Sequence, residues 1–93
     1  MIGSLARVDT KDSTRIMKRL AKHWAHRFAV AEEESYCVIE LPAGPLKMEA
    51  RTSELKLELT AAPESLTRMQ EVVAEHVQRM SGSEILQIEW FPA

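Results

Sequence analysis

The chain has 93 residues, 45% of them hydrophobic and 28% charged, which is too apolar for intrinsic disorder and is a length that suits one α+β domain over residues 1–93. Its formal net charge of −2 gives no overall pull toward nucleic acid or an anionic membrane, so any polyanion site has to be local. The lone cysteine, Cys37, excludes an internal disulfide and a four-cysteine zinc knot, and a reducing, cytoplasmic setting fits best.

The opening residues Met1 to Arg7 show no charged leader followed by an apolar run, so no signal peptide is expected. Ser4 to Asp9 reads as a short strand, with Ala6 and Val8 alternating against Leu5 and Arg7. Thr10-Lys-Asp-Ser-Thr then offers several side-chain oxygens able to cap a helix.

The helix expected over Ser13 to His26 has the clearest pattern in the chain. At about 100° per residue, Ile16, Met17, Leu20, Ala21 and Trp24 form one apolar stripe, which Phe28 would extend. Arg15, Lys18, Arg19, Lys22, His23 and His26 fall on the other side. The spacing therefore predicts a helix with a sealed apolar side and a wet basic one.

Phe28 to Glu33 and Tyr36 to Leu41 are expected as strands, the second with Cys37, Ile39 and Leu41 on one face. Pro42-Ala-Gly-Pro45 is expected to break the sheet, because its prolines lack a donor and Gly44 permits a tight turn. Leu46, Met48 and Ala50 alternate with charged residues, as do Leu55, Leu57 and Leu59 after Thr52-Ser53, which makes a hairpin.

Pro63 and Glu64 suit the first turn of a second helix, striped by Leu66, Met69, Val73, Val77 and Met80 and ended by Gly82. A last strand is expected over Glu84 to Phe91, with Leu86, Ile88 and Trp90 inward. The order is β-α-β-β-β-β-α-β. It predicts two layers, one antiparallel sheet with both helices on one face. A ferredoxin-like arrangement, with Phe28 to Glu33 as loop, is the alternative.

Three scattered glycines exclude a phosphate-cradling loop or a dinucleotide fingerprint, and no Gly-x-Ser-x-Gly elbow is present. No acidic pair is placed for acid–base work, so no catalytic residue is assigned and no cofactor is indicated. Glu32-Glu33-Glu34 reads as a solvated turn. The expected outer sheet face mixes charges without interleaved aromatics, which argues against a nucleic-acid platform. No apolar stretch approaches the ~20 residues that span a bilayer, so no membrane role is expected.

The dense constellation is Arg19-Leu-Ala-Lys22-His23-Trp24-Ala25-His26-Arg27. Arg15, Arg19, Lys22, His23 and His26 together would suit a phosphate, a carboxylate or an acidic partner surface. The plainer reading of these residues is a solvated basic face paired with nearby glutamates. His23 and His26, three apart, are also candidate metal ligands. They would need further ligands from Cys37, His76 or a glutamate, and the neighbouring cations oppose this. An enzyme using His23 or His26 as acid or base on a phosphate- or carboxylate-bearing substrate is a third reading. Nothing visible would exclude water or orient a nucleophile for it. Cys37 is expected to be an inert buried thiol, His76 half-buried, and Trp24 and Trp90 core. A thin core and open sheet edges make a homodimer a further expectation.

Ala6-Arg7-Val8-x-Thr10, then Arg15-x-x-x-x-Leu20-x-Lys22-His23-x-x-His26, Ile39-Glu40-Leu41-Pro42-x-Gly44, Val72-Val73-Ala74-x-His76 and Glu89-Trp90 resemble a bacterial family known as domain of unknown function 2218. The resemblance runs over nearly the whole chain, and Lys22-His23-x-x-His26 is its most specific part. It implies no established activity. It implies a link to iron metabolism, since such domains occur alone or joined to flavin-dependent siderophore-interacting reductases, and such a reductase is the implied partner. The implied fold is similar to the two-helix-on-sheet C-terminal domain of phosphohexomutases, itself like the TATA-binding-protein fold. Relatives often carry a cysteine where this chain has Ala21, so a Cys/His/His metal site would be incomplete here.

Overall fold

The computed structural model describes Met1–Ala93. β1 (Ile2–Asp9) leads into α1 (Ser13–Trp24), followed by β2 (Val30–Glu32), β3 (Tyr36–Leu41), β4 (Gly44–Ala50), β5 (Glu54–Ala61), α2 (Pro63–Ser81) and β6 (Phe91–Pro92). The strands form one sheet in the order β2-β3-β4-β5-β1-β6. Every neighbouring pair is antiparallel. This is the α+β arrangement expected from the chain, and β2 is a strand rather than the loop of the ferredoxin-like alternative.

Alternation decides which face is covered. Ala6 stands beside Leu57, Leu57 beside Met48, and Met48 beside Cys37, so one row of side chains crosses four strands. All four are fully buried. The helices cover this row, with Ile16, Met17, Leu20, Ala21 and Trp24 of α1 and Val73 and Val77 of α2 joining the same core cluster. On the opposite face Lys47 pairs with Glu58 and Glu49 with Lys56. Opposite charges directly across an antiparallel pair suit a wet surface.

α1 carries the chain from β1 to the far edge strand β2. Asp12 occupies its N-cap position but makes no side-chain cap. Its carboxylate instead accepts from Arg15 at 2.9 Å. Of the other candidate caps, Thr10 donates to Glu84 at 2.8 Å and the Ser13 hydroxyl donates to the Arg51 carbonyl. The polar run before α1 thus ties the helix start to other elements rather than capping it.

β1 begins two residues earlier than expected, at Ile2, and β2 is shorter, Val30–Glu32 rather than Phe28 to Glu33; three further boundaries differ, each for a physical reason. α1 stops at Trp24, not His26, because the amides of Arg27 and Phe28 both turn back to the Trp24 carbonyl. The break after β3 is only Pro42-Ala43, with Gly44 and Pro45 already in β4. Glu40, opposite Pro45, sends its own N–H away to Ala29 at 3.0 Å, so this is a non-hydrogen-bonded pair. The ring nitrogen of Pro45 therefore faces the β5 side, one position past the last β4–β5 pair at Leu46 and Leu59, so the missing donor falls where that ladder ends.

The third difference is the last strand. Only Phe91 and Pro92 pair with β1. Residues 84–90 run without ladder bonds, although Leu86 is buried and Ile88 and Trp90 pack on the core as expected. What fixes their course is a polar knot after α2. The Gln78 side chain donates to the Glu84 carbonyl at 2.7 Å and accepts from the Leu86 amide at 2.8 Å. Buried Ser81 lies beside both groups.

Candidate functional site

The basic residues of α1 do what their spacing predicts, and then divide. Arg15, Lys18, Arg19, Lys22 and His23 are all exposed, while the apolar stripe behind them is buried. His26 is also exposed, but it stands in the turn after the helix. All five sequence candidates therefore lie on the solvent side of one element and its exit.

Arg15 and Arg19, one turn apart, lean toward the C-terminus of α2. Arg15 reaches the Ser81 carbonyl at 3.4 Å and Arg19 the Met80 carbonyl at 3.3 Å. Free carbonyls at a helix C-terminus carry partial negative charge, which guanidinium groups offset. These two arginines thus help to dock the helices on each other. Lys18 turns the other way, to Glu32 at 3.8 Å.

His23, the next turn along from Arg19, meets a residue from the second helix. Its ring centroid lies 5.6 Å from that of His76, and His76 lies 4.9 Å from buried Trp24. His76 is half-buried, as expected, and its Nδ1 stands 2.8 Å from the Val72 carbonyl. A carbonyl only accepts, so Nδ1 carries the proton and Nε2 is left free. The sequence places His76 at the edge of the α2 stripe, but the His23–His76 contact needs the helices packed.

No three His, Cys, Asp or Glu side chains are grouped so as to hold a metal ion. Cys37 lies beneath the helix layer, fully buried, and so cannot complete a set with His23 and His26. Two imidazoles are fewer than the donors a stable zinc site uses.

Lys22 and Arg27 have no carboxylate partner, and neither has Arg19, because the chain's ion pairs engage Arg15, Lys18, Arg51, Arg68 and Arg79. Arg27 was part of the basic run but not among the candidate residues; its guanidinium stands over Phe28, 5.7 Å from the ring centroid. The C-terminal end of α1 therefore presents Arg19, Lys22, His23, His26 and Arg27 on an exposed surface with uncompensated positive charge.

Residues 5–91 match the family described as an uncharacterized protein conserved in bacteria, DUF2218. The chain belongs to the DUF2218 family. The resemblance carried by the Lys22-His23-x-x-His26 segment and the closing Glu89-Trp90 is thus confirmed at the level of the family. Among solved structures, the NMR structure of PA4090 from Pseudomonas aeruginosa is 36% identical, with a TM-score of 0.82. That likeness covers 100% of this chain and 98% of the other. Comparison with curated proteins gave no match. No helix is long and apolar enough to cross a membrane.

Proposed function

We propose that this DUF2218 domain is a non-catalytic binding or accessory module whose exposed basic face on α1 receives an anionic ligand or the acidic surface of a partner. The observation that carries this reading is the uncompensated charge at the end of α1. Arg19, Lys22 and Arg27 lack carboxylate partners in a chain of net charge −2. Such a local patch steers acidic molecules even when the whole molecule repels them. A flavin-dependent siderophore reductase, the kind of protein the resemblance links to such domains, is the first partner to try.

The test must separate binding from folding. Arg19 holds the Met80 carbonyl, so reversing it would disturb both. The Lys22 and His26 side chains make no hydrogen bond or ion pair within the chain and are the residues to change. Lys22→Glu/His26→Glu is expected to keep the wild-type stability within about 0.5 kcal/mol and to lower retention on an immobilised siderophore reductase at least tenfold. Normal folding with undiminished retention contradicts the reading for that partner.

A further inference from the structure

His76 brings to the basic face of α1 a ring whose neutral form has only one tautomer. Its Nδ1 is held 2.8 Å from the Val72 carbonyl. A carbonyl only accepts, so the proton of the neutral ring sits on Nδ1 and Nε2 carries a lone pair. Nε2 makes no hydrogen bond of its own. The one buried side-chain nitrogen or oxygen without a partner is Ser4 Oγ, so Nε2 opens to solvent. A single proton turns this open atom from an acceptor into a charged donor.

The charges around the ring favour an anion. His23 stands 5.6 Å away, ring to ring, and Trp24 backs His76 from the core at 4.9 Å. Arg19, one turn before His23, has no carboxylate partner, and no ion pair of the chain involves a histidine. Lys22 and Arg27 add exposed charge at the same end of α1, with His26 between them. On α2 itself, the neighbouring Glu75 is engaged by Arg79 at 2.8 Å. α2 also packs on β5, whose Lys56 and Glu58 lie on the opposite sheet face, across from Glu49 and Lys47. Three other carboxylates are placed elsewhere: Glu32 meets Lys18, Glu84 accepts from Thr10, and Glu89 lies beside Arg7.

We propose that the anion site of α1 extends onto α2 and is gated by one proton on His76. The neutral ring turns a lone pair toward the site and opposes an oxyanion. The protonated ring donates from Nε2, in a charge-assisted hydrogen bond, to a phosphate, sulfate or carboxylate oxygen held by Arg19 and His23. Proton and anion thus favour each other by the same factor. Affinity is highest in acid and falls as pH rises through about 5 to 8, where imidazoles lose their charge. The inference rests on the basic face as the anion site. It adds a donor from the second helix, which that face alone does not require.

Sulfate is the probe, because it stays doubly charged from pH 5.5 to 8 and any change in its affinity belongs to the protein. It is exchanged for chloride at constant ionic strength, while ring and amide shifts are followed in ¹⁵N-labelled protein. At pH 8 the ring nitrogens of His76 should report the Nδ1–H form. Saturating sulfate should raise the titration midpoint of His76 by about one pH unit, a tenfold preference for the protonated ring. His76→Asn keeps a side-chain donor for Val72 but places nothing at Nε2. It should bind sulfate like the wild type at pH 8 and roughly tenfold more weakly at pH 5.5. Saturable amide shifts between Arg19 and Arg27 with a stationary His76 midpoint would overturn the gate and leave the basic face standing. An Nε2–H ring at pH 8 would do the same, since the open atom would then donate at any pH. No saturable shift at pH 5.5 would sink both readings.

Discussion

Replacing Gly44 with alanine is expected to cost about 3 kcal/mol of stability, or roughly 15 °C in melting temperature for a domain of this size. Gly44 opens β4 opposite Leu41, directly after the two-residue turn Pro42-Ala43. Its φ of 152° lies where side chains are rarely accommodated. A Cβ there would overlap the Thr60 carbonyl oxygen and approach the Thr60 carbonyl carbon to 2.9 Å. The obstacle is backbone of β5, held in the sheet by its register with β1, so it cannot swing aside as a flexible side chain would. Gly82 is the control. It has a φ of 79°, but nothing lies within 4 Å of a Cβ placed there, so Gly82→Ala bears only the conformational cost of about 1 kcal/mol. Urea melts of the two variants check this. Equal losses would show that the close approach to Thr60 carries no energy.

The second large effect is set by alkaline pH. Cys37 is fully buried in β3. Burial, with a smaller contribution from the Glu32 carboxylate, pushes its thiol from 9.0 up to about 11. Glu32 is its partner across β2 and β3. The folded state thus keeps the proton through a range in which the unfolded chain gives it up. Below about pH 9 both states are protonated and nothing is lost. Above it, the unfolded state gains by ionising, so stability falls as pH rises toward the folded value. The loss relative to Cys37→Ala should be about 2 kcal/mol by pH 11. Melts of the two proteins at pH 8, 9, 10 and 11 read it directly, since their difference cancels the other groups that titrate there. Parallel curves would mean that the thiol ionises as freely inside the fold as outside. The same shift makes Cys37 a poor nucleophile at neutral pH, and thiol reagents should find it slowly.

Periodicity carried most of the fold because it reports burial. The stripe from Ile16 to Trp24 and the alternation of Leu55, Leu57 and Leu59 each describe a surface that must face the core, and each is buried. Burial alone does not say who donates to whom. Leu86, Ile88 and Trp90 alternate like a strand and point inward, yet only Phe91 and Pro92 complete the ladder. The Gln78 and Ser81 side chains fix that stretch instead, and such long-range bonds leave no periodic trace. Pro45 misleads in the opposite sense. A proline breaks a strand where its missing donor falls inside the ladder, and here it falls past the last β4–β5 pair.

The candidate site divides along the same line. That Arg15, Arg19, Lys22 and His23 share a wet face follows from helical spacing alone. That Arg15 and Arg19 serve the end of α2, and that His23 meets His76 against Trp24, depends on how two helices distant in sequence cross. The unpartnered hydroxyl of Ser4 was equally hidden. An alternating Ser-x-Ala-x-Val run reads as an ordinary strand, and only the packed structure shows that the serine hydroxyl has no partner.

The exposed, unpaired cations at the end of α1 are the centre of the functional reading, and a titration with pyrophosphate at low ionic strength probes them most directly. In ¹⁵N spectra, saturable shifts should gather between Arg19 and Arg27 and around His76. They should weaken as salt is added and vanish in Lys22→Glu/His26→Glu. Shifts spread evenly over the molecule's basic residues, or unchanged in that variant, would mean the face is no more than solvated surface.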